Sequence, residues 1–263
     1  MITTIFMALG VSIGINAIFF LFAFWLKSDV FTDITYASTF LITTIIISIF
    51  NESYGVVQMI MLTLVALWSI RLGTFLMIRI WKTKIDHRFD KMRNSFWKFG
   101  AFWLLQGITV WIVNMPNFLA SVNPKADLVF WSIIFVFLAV FFLITETIAD
   151  FQKYNWTRKK PGKFISNGLW RISRHPNYFS EYMFWIMMFA FFISNEYKPI
   201  NFAGIISPLF IMFTLYKLSG LPMVEKWAFK TFKQDPDFIK YINETPTLVP
   251  FFGKKGIKSK WKS

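Results

Sequence analysis

Between Gly168 and Trp185 the chain reads GLWRISRHPNYFSEYMFW, a block dense in residue types that do chemistry. Arg171, Arg174 and His175 stand just ahead of an Asn, two tyrosines and a Glu, after which the sequence turns apolar and aromatic. Pro176 suits the first turn of a helix that begins there. Arg174, Tyr178 and Glu181 follow an i, i+4, i+7 spacing, and Asn177 and Glu181 are one turn apart, so a helix presents them on one face. Free N–H groups and the positive dipole end of such a helix, with three basic side chains before it, form a seat for an anionic cofactor. Glu181 falls inside what the pattern reads as a membrane helix. An ionisable group there is costly and marks a functional site. The combination points to a membrane enzyme.

Other candidates lie elsewhere in the chain. Glu146 and Asp150 are four apart at the end of an apolar run, and the loop that follows, YNWTRKKPGK, supplies Arg158, Lys159, Lys160 and Lys163. The two carboxylates either form an ion-paired helix end or hold the sugar and base of a nucleotide whose phosphates meet the loop cations. Arg79 is near enough to the end of its apolar run to snorkel to the interface. Arg71 is two turns deeper and needs a carboxylate or a ligand phosphate. Asp33 and Tyr36 open another apolar run, where Asp33 either caps the helix or takes part in a site. With His175 and His87 the only histidines and no cysteine, no metal site is expected, and disulfide and thiolate chemistry are excluded. There is no glycine-rich dinucleotide loop after a strand, no P-loop and no serine elbow.

These residues must be positioned by membrane helices. The chain of 263 residues is 56% hydrophobic and 21% aromatic but only 16% charged, and its mean hydropathy is +0.50. Apolar runs predict spans near 4–26, 34–50, 56–81, 97–119, 128–149, 178–194 and 201–217, each able to cross most of a ~30 Å hydrocarbon layer. The expectation is a single all-α domain over 1–263, a bundle of about seven transmembrane helices. The first run has no basic segment before it and no small-residue cleavage site after it, so it reads as a retained helix.

Net charge is +14, which in a soluble chain would suggest nucleic acid; here the cations sit between apolar runs and suit anionic headgroups instead. Of 28 Lys and Arg, 23 fall in 82–98, 153–174 and 217–262. Seven spans place all three segments on one side, which the positive-inside rule makes cytoplasmic, with the N-terminus outside and the C-terminus inside. The stretch from Pro222 to Lys240 reads as one amphipathic helix along the interface. The tail KKGIKSKWK, within 254–263, reads as a flexible basic end that touches headgroups.

From Asp150 to Glu181 the pattern D-x-Q-K…PGKFI-x-x-GLWR-x-SRHPNYFSE resembles the signature of steroid 5-alpha-reductase-like membrane proteins of bacteria. Its RHPNY core also resembles the sterol C14- and C7-reductases. The likeness continues in order through Asp33–Tyr36, LWSIRLGTFLMIRIWK (Leu67 to Lys82), DHRFDKMR (Asp86 to Arg93), LLQG around Gln106, and SGLPMVEK (Ser219 to Lys226). The resemblance implies a cytosol-facing cavity in a seven-helix bundle that holds NADPH beside a lipid enone such as a 3-oxo-delta4-steroid. On that basis Asn177 and Glu181 match positions at the nicotinamide end, and Asp150, Arg158 and Lys159 match positions near the adenosine and its phosphates. Arg71 and Arg79 look like phosphate-facing arginines. Glu146 stands where those enzymes usually have Asn. Arg171, Arg174, His175, Tyr178 and Glu225 complete the cofactor-facing set. Asp33 and Tyr36 are the nearest candidates for the pair that holds the ketone.

A second family is also similar. Isoprenylcysteine carboxyl methyltransferases carry a basic-His-Pro-x-Tyr element before a helix, then a Glu and a closing Tyr-x-x-x-x-P run, parts that Glu225, Tyr241 and Pro246 or Pro250 would play. S-adenosylmethionine carries no phosphate, so the cations at Arg71, Arg79, Arg158 and Lys159 favour NADPH. The expected partners are the bilayer and a hydrophobic lipid or steroid, with no nucleic acid. The expected location is the inner membrane of a bacterium, or the endoplasmic reticulum of a eukaryote.

Overall fold

Long apolar sequences without internal proline form helices wherever water is absent, because only a helix satisfies its own backbone there. The computed structural model describes residues 1–83, 92–218, 220–253 and 255–256, and among these every regular element is helical. In chain order they are α1 (Ile2–Trp25), α2 (Val30–Phe50), α3 (Val56–Thr83), α4 (Phe96–Val113), α5 (Met115–Ser121), α6 (Ile133–Lys159), α7 (Pro176–Asn195), α8 (Ile206–Phe213), α9 (Leu221–Phe232) and α10 (Pro236–Glu244). Residues 84–91, which include Asp86–Lys91 of the DHRFDKMR segment, the Arg79 side chain, Ser219 and all of the basic tail except Lys255 and Gly256 lie outside the described residues.

Among the described residues, six helical stretches are long and apolar enough to cross a membrane: 2–25, 30–50, 56–78, 96–113, 130–159 and 199–232. The chain is a multi-pass, all-helical membrane protein. α7 has the length of a span, but Asn177, Ser180 and Glu181 in its opening turns keep it out of that set. Each of the seven expected runs falls on helical residues, two of them with clear differences, and the amphipathic stretch that follows them differs as well. The run at 97–119 breaks at Asn114, because Pro116 lacks the N–H that would continue the ladder, and α5 restarts in its first turn. The run at 128–149 starts later and extends to Lys159, since a helix continues past its apolar part into water. The amphipathic stretch expected as one helix from Pro222 to Lys240 is two, α9 and α10. Pro236 ends the ladder, and Asp235 caps the new helix by accepting from the Asp237 N–H at 2.9 Å.

The chain divides into two compact units. The first comprises Met1–Ile133 with Met188–Ser207. Within it α1 packs on α2 and α4, and α2 on α3. Phe20, Ala23, Phe99 and Trp103 form one core cluster, and Ala8, Ile47 and Phe118 another. At Gly107 a Cβ would lie 3.2 Å from the Ile13 Cα, so glycine lets α4 approach α1 closely enough for Ser12 Oγ to donate to the Gly107 carbonyl at 2.7 Å. Asn114 is fully buried and donates to the Phe40 carbonyl (3.1 Å) and to Thr44 Oγ1 (2.6 Å), while Asn117 donates to its Oδ1 (2.8 Å). Asp29, ahead of α2, pairs with Arg93 at 2.7 Å. The second unit comprises Ile134–Met187 with Pro208–Ser263. Its α8 runs into a π-helical turn at Thr214–Leu218 before α9.

Lipid offers no replacement partners, so cross-helix polar bonds hold where apolar contact alone gives no preference. Asn114→Leu is expected to lower stability by about 1–2 kcal/mol, at roughly 0.6 and at most about 1.7 kcal/mol per membrane hydrogen bond. A denaturation titration in mixed detergent micelles measures it.

Candidate functional site

The Gly168–Trp185 block folds in the second unit as a short 3₁₀ turn, Gly168–Arg171, then an irregular link, then the first part of α7. Gly168 has φ +61°, and a Cβ there would sit 2.6 Å from the Gln152 side chain, so only glycine lets the Leu169 N–H reach Gln152 Oε1 at 2.9 Å. Trp170 is buried; its indole N–H donates to the Ala149 carbonyl of α6 (3.0 Å), and its carbonyl accepts from the Tyr241 hydroxyl of α10 (2.6 Å). The turn is therefore pinned from both sides.

Arg174 and His175 come next, both buried, and both meet Glu225 of α9. Arg174 Nη2 lies 3.1 Å from Glu225 Oε2, and His175 Nε2 lies 2.7 Å from Oε1. Arg174 also donates to Thr247 Oγ1 (2.6 Å) and to the carbonyls of Gly256 (2.9 Å) and Ile242 (3.4 Å). Its backbone N–H reaches the Pro246 carbonyl at 2.9 Å, Ser173 Oγ reaches Leu248 O at 2.7 Å, and Phe251 N reaches Ile172 O at 3.0 Å. The segment after α10 is thus laced onto the segment before α7. Burial lowers the pKa of Arg174, and the Glu225 carboxylate opposes that shift, so the pair stays ionic. Burial also lowers the pKa of His175, against the hydrogen bond to Glu225 that favours the imidazolium. The neutral ring then donates from Nε2 to the carboxylate that balances Arg174, and it stacks on Tyr178 with centroids 5.4 Å apart and planes 8° from parallel. Burial raises the Tyr241 pKa, so the phenol keeps its proton for Trp170.

A cavity of about 150 Å³ opens beside this network. Its walls are aromatic, with Trp156, Phe164, Trp170, Phe238 and Tyr241, and Arg174, His175 and Glu225 also line it. Lys153 and Lys163 supply positive charge, with Lys153 Nζ 4.9 Å from the Trp170 ring centre. Phe164 stacks on Tyr241 at 5.5 Å. Drug-sized ligands fill roughly 300–1,000 Å³. This space suits one ring system rather than a whole dinucleotide.

At the second residue of α7, Asn177 Nδ2 donates to Asp150 Oδ1 of α6 at 3.1 Å, and the Asn177 Oδ1 is buried without a partner. Glu181 follows on the same helix, half-buried. Glu146 is buried one turn before Asp150 on α6. The structure therefore brings together Arg174, His175, Tyr178 and Glu225 in one group and Asp150 with Asn177 in another. Arg158 and Lys159 sit exposed in the last turn of α6, Arg158 over the Tyr154 ring, and Arg171 is exposed. Asp33, Tyr36 and Arg71 belong to the first unit, where Tyr36 packs edge-on against Phe40 and Arg71 lies over Phe75. Sequence reasoning left Lys153, Trp156, Phe164 and Phe238 unassigned. Apolar or basic residues scattered over some eighty positions carry no local spacing that reveals a shared wall. Among the described residues no group of His, Asp or Glu is placed to hold a metal.

The neutral, buried His175 sets a pH dependence. In the unfolded chain the imidazole titrates near 6.5, whereas in the fold it titrates lower. Below about 6.5 the unfolded state therefore binds more protons, and stability is lost as pH falls, by at most about 1.4 kcal/mol per pH unit. Stability above pH 6.5 keeps the full contribution. Thermal unfolding between pH 8 and 5 is expected to show this decline, and His175→Gln is expected to remove that increment of slope.

No curated protein and no solved structure gives a significant match to the chain. One family model does match, over residues 19–245, which covers α2 through α10 and every residue of the group just described except those in the closing segment. The chain belongs to the family described as "Protein of unknown function (DUF1295)".

Proposed function

We propose that the chain is an NADPH-dependent reductase of a conjugated C=C bond in a hydrophobic ketone, of the steroid 5-alpha-reductase-like kind. The observation that carries this reading is Asn177. It stands at the start of a helix, is held by Asp150, and keeps a buried, unpartnered acceptor oxygen one turn ahead of Glu181. A buried acceptor without a partner costs stability, so its retention supports a ligand donor at that place. The carboxamide of a nicotinamide carries such a donor. NADPH supplies a hydride to the β-carbon of the enone. Asn177 and Glu181 orient the nicotinamide ring, Asp150 fixes Asn177, and the aromatic cavity lined by Lys153 and Lys163 takes a flat base. Arg158, Lys159 and Arg171 offer exposed charge to phosphates. The enolate needs an acid at the ketone oxygen, and the sequence offers Asp33 and Tyr36. On this reading the basic segments, and with them the cofactor site and the C-terminus, face the cytoplasm of a bacterial inner membrane or of the endoplasmic reticulum.

The second reading is a methyltransferase of the isoprenylcysteine carboxyl type. It draws on one observation, that Glu225 and Tyr241 both line the aromatic cavity. A sulfonium beside a carboxylate and aromatic faces is favourable chemistry. Titrating NADPH, NADH and S-adenosylmethionine against the purified protein separates the two. NADPH is expected to bind about 10- to 150-fold more tightly than NADH, since its 2′-phosphate gains charge-assisted hydrogen bonds of about 1.5–3 kcal/mol. Binding of S-adenosylmethionine alone would overturn the reductase reading.

Glu181→Gln keeps shape and removes charge. Turnover is expected to fall by roughly 10²-fold or more, because small errors in reactive geometry are expensive, while the melting point hardly moves. Normal turnover per folded molecule with a lowered melting point would make Glu181 a structural residue instead.

A further inference from the structure

We infer that the turn Val249–Phe252 is an interfacial anchor that docks the segment after α10 onto an anionic lipid surface. That segment has two halves. In the first, Thr245, Pro246 and Thr247 are buried, and the chain is tied to the link before α7 by Arg174 N–H to the Pro246 carbonyl at 2.9 Å and by Ser173 Oγ to the Leu248 carbonyl at 2.7 Å. In the second half the side chains turn outward: Val249 is 42% exposed, Phe251 68% and Phe252 74%. All three lie outside α7 and outside the six stretches apolar enough to cross a membrane, where an exposed apolar side chain simply faces lipid tails.

The backbone does not ask for phenylalanine here. The Phe252 N–H returns to the Val249 carbonyl at 3.3 Å, with Pro250 second and Phe251 third in the turn. Phe251 has φ +65°, a conformation that favours Gly or Asn at that place and strains a bulky residue. Lys27 and Glu52 also have positive φ, but each directly follows the C-cap of a helix, where that conformation is ordinary. Phe251 has no such excuse, and its N–H is fixed to the Ile172 carbonyl at 3.0 Å. Two adjacent rings are thus held out on a rigid turn at a position glycine would fill without strain. A strained residue that makes no use of its side chain inside the fold points to a contact outside it.

The sequence that follows selects the occupant. From Lys254 to Ser263 it carries five lysines and no Asp or Glu, and Lys255 is exposed. Aromatic rings beside lysines suit the boundary between headgroups and acyl chains, with the cations drawn to anionic headgroups. A second copy of the chain would set its own lysines against these. A four-residue turn also falls far short of the ~1,000 Å² that a stable protein interface buries. Because the bonds that hold the turn run to residues 172–174, the anchor ties the lipid surface to the Arg174–Glu225 group.

The chain has no cysteine, so one introduced cysteine can be labelled alone. The test places a nitroxide at Val249→Cys or at Phe252→Cys of the full chain. Nanodiscs are made of phosphatidylcholine with or without phosphatidylglycerol, and nitroxide lipids of known depth calibrate them. No cofactor is added, so the outcome is independent of the reductase reading. Both labels are expected to be reached more readily by oxygen than by a water-soluble nickel chelate. The ratio of docked to undocked label is expected to be about 5-fold or more higher with phosphatidylglycerol, the effect of one lysine near an anionic surface. Adding Phe251→Gly and Phe252→Ser to Val249→Cys is expected to return the label to water while the melting point in detergent hardly moves. A melting point clearly lowered by that pair makes the rings part of the folded core and overturns the inference. So do labels open to the nickel chelate in both membranes, docking indifferent to phosphatidylglycerol, and spin–spin coupling that joins two copies of the chain through this turn.

Discussion

An arginine sealed inside a protein must keep its charge and must find a carboxylate, and Arg174 with Glu225 is the place where this chain meets that demand. A buried pair of this kind gives little net stability over apolar side chains, yet losing one partner leaves an uncompensated charge at a cost of roughly 3–5 kcal/mol. The second unit is organised accordingly. Glu225 arrives from α9, Arg174 from the link into α7, and the Arg174 Nη1 and Nη2 groups also donate to Ile242, Thr247 and Gly256 from the chain after α9. His175 shares the same carboxylate and stays neutral, which keeps one positive and one negative charge in the buried group. The consequence for function is indirect. This charge pair fixes where α7 begins, and hence where Asn177 and Glu181 stand.

The first unit answers a different constraint. Its helices are apolar nearly all round, so the hydrophobic effect does not tell one neighbour from another within lipid. Specificity comes from small residues that permit close approach, as at Gly107, and from buried amides that would otherwise be orphaned, as at Asn114.

Much was legible in the sequence. Apolar length marked the helices, since a span needs about twenty apolar residues whatever its neighbours are, and proline marked breaks at Pro176 and, in retrospect, at Pro116 and Pro236. Asn177 and Glu181 were legible as a pair because helical spacing puts them on one face of α7, whereas Arg171, Arg174 and His175 lie before that helix and the i, i+4, i+7 spacing read from Arg174 does not apply to it. The i, i+4 relation that put Asn177 next to Glu181 needed no tertiary information.

Only the folded chain decided which cation serves which partner. Arg171, Arg174 and His175 read alike as basic residues before a helix, yet one is exposed and two are buried on Glu225, fifty positions away. Asp150 as the partner of Asn177, and the wall that joins Trp156 and Phe164 to Phe238 and Tyr241, likewise depend on contacts between helices distant in sequence. Composition and periodicity report how a residue relates to its own helix and to the solvent around it. They do not report which other helix it meets, because that is set by packing, where shape and the balance of buried charge select one arrangement.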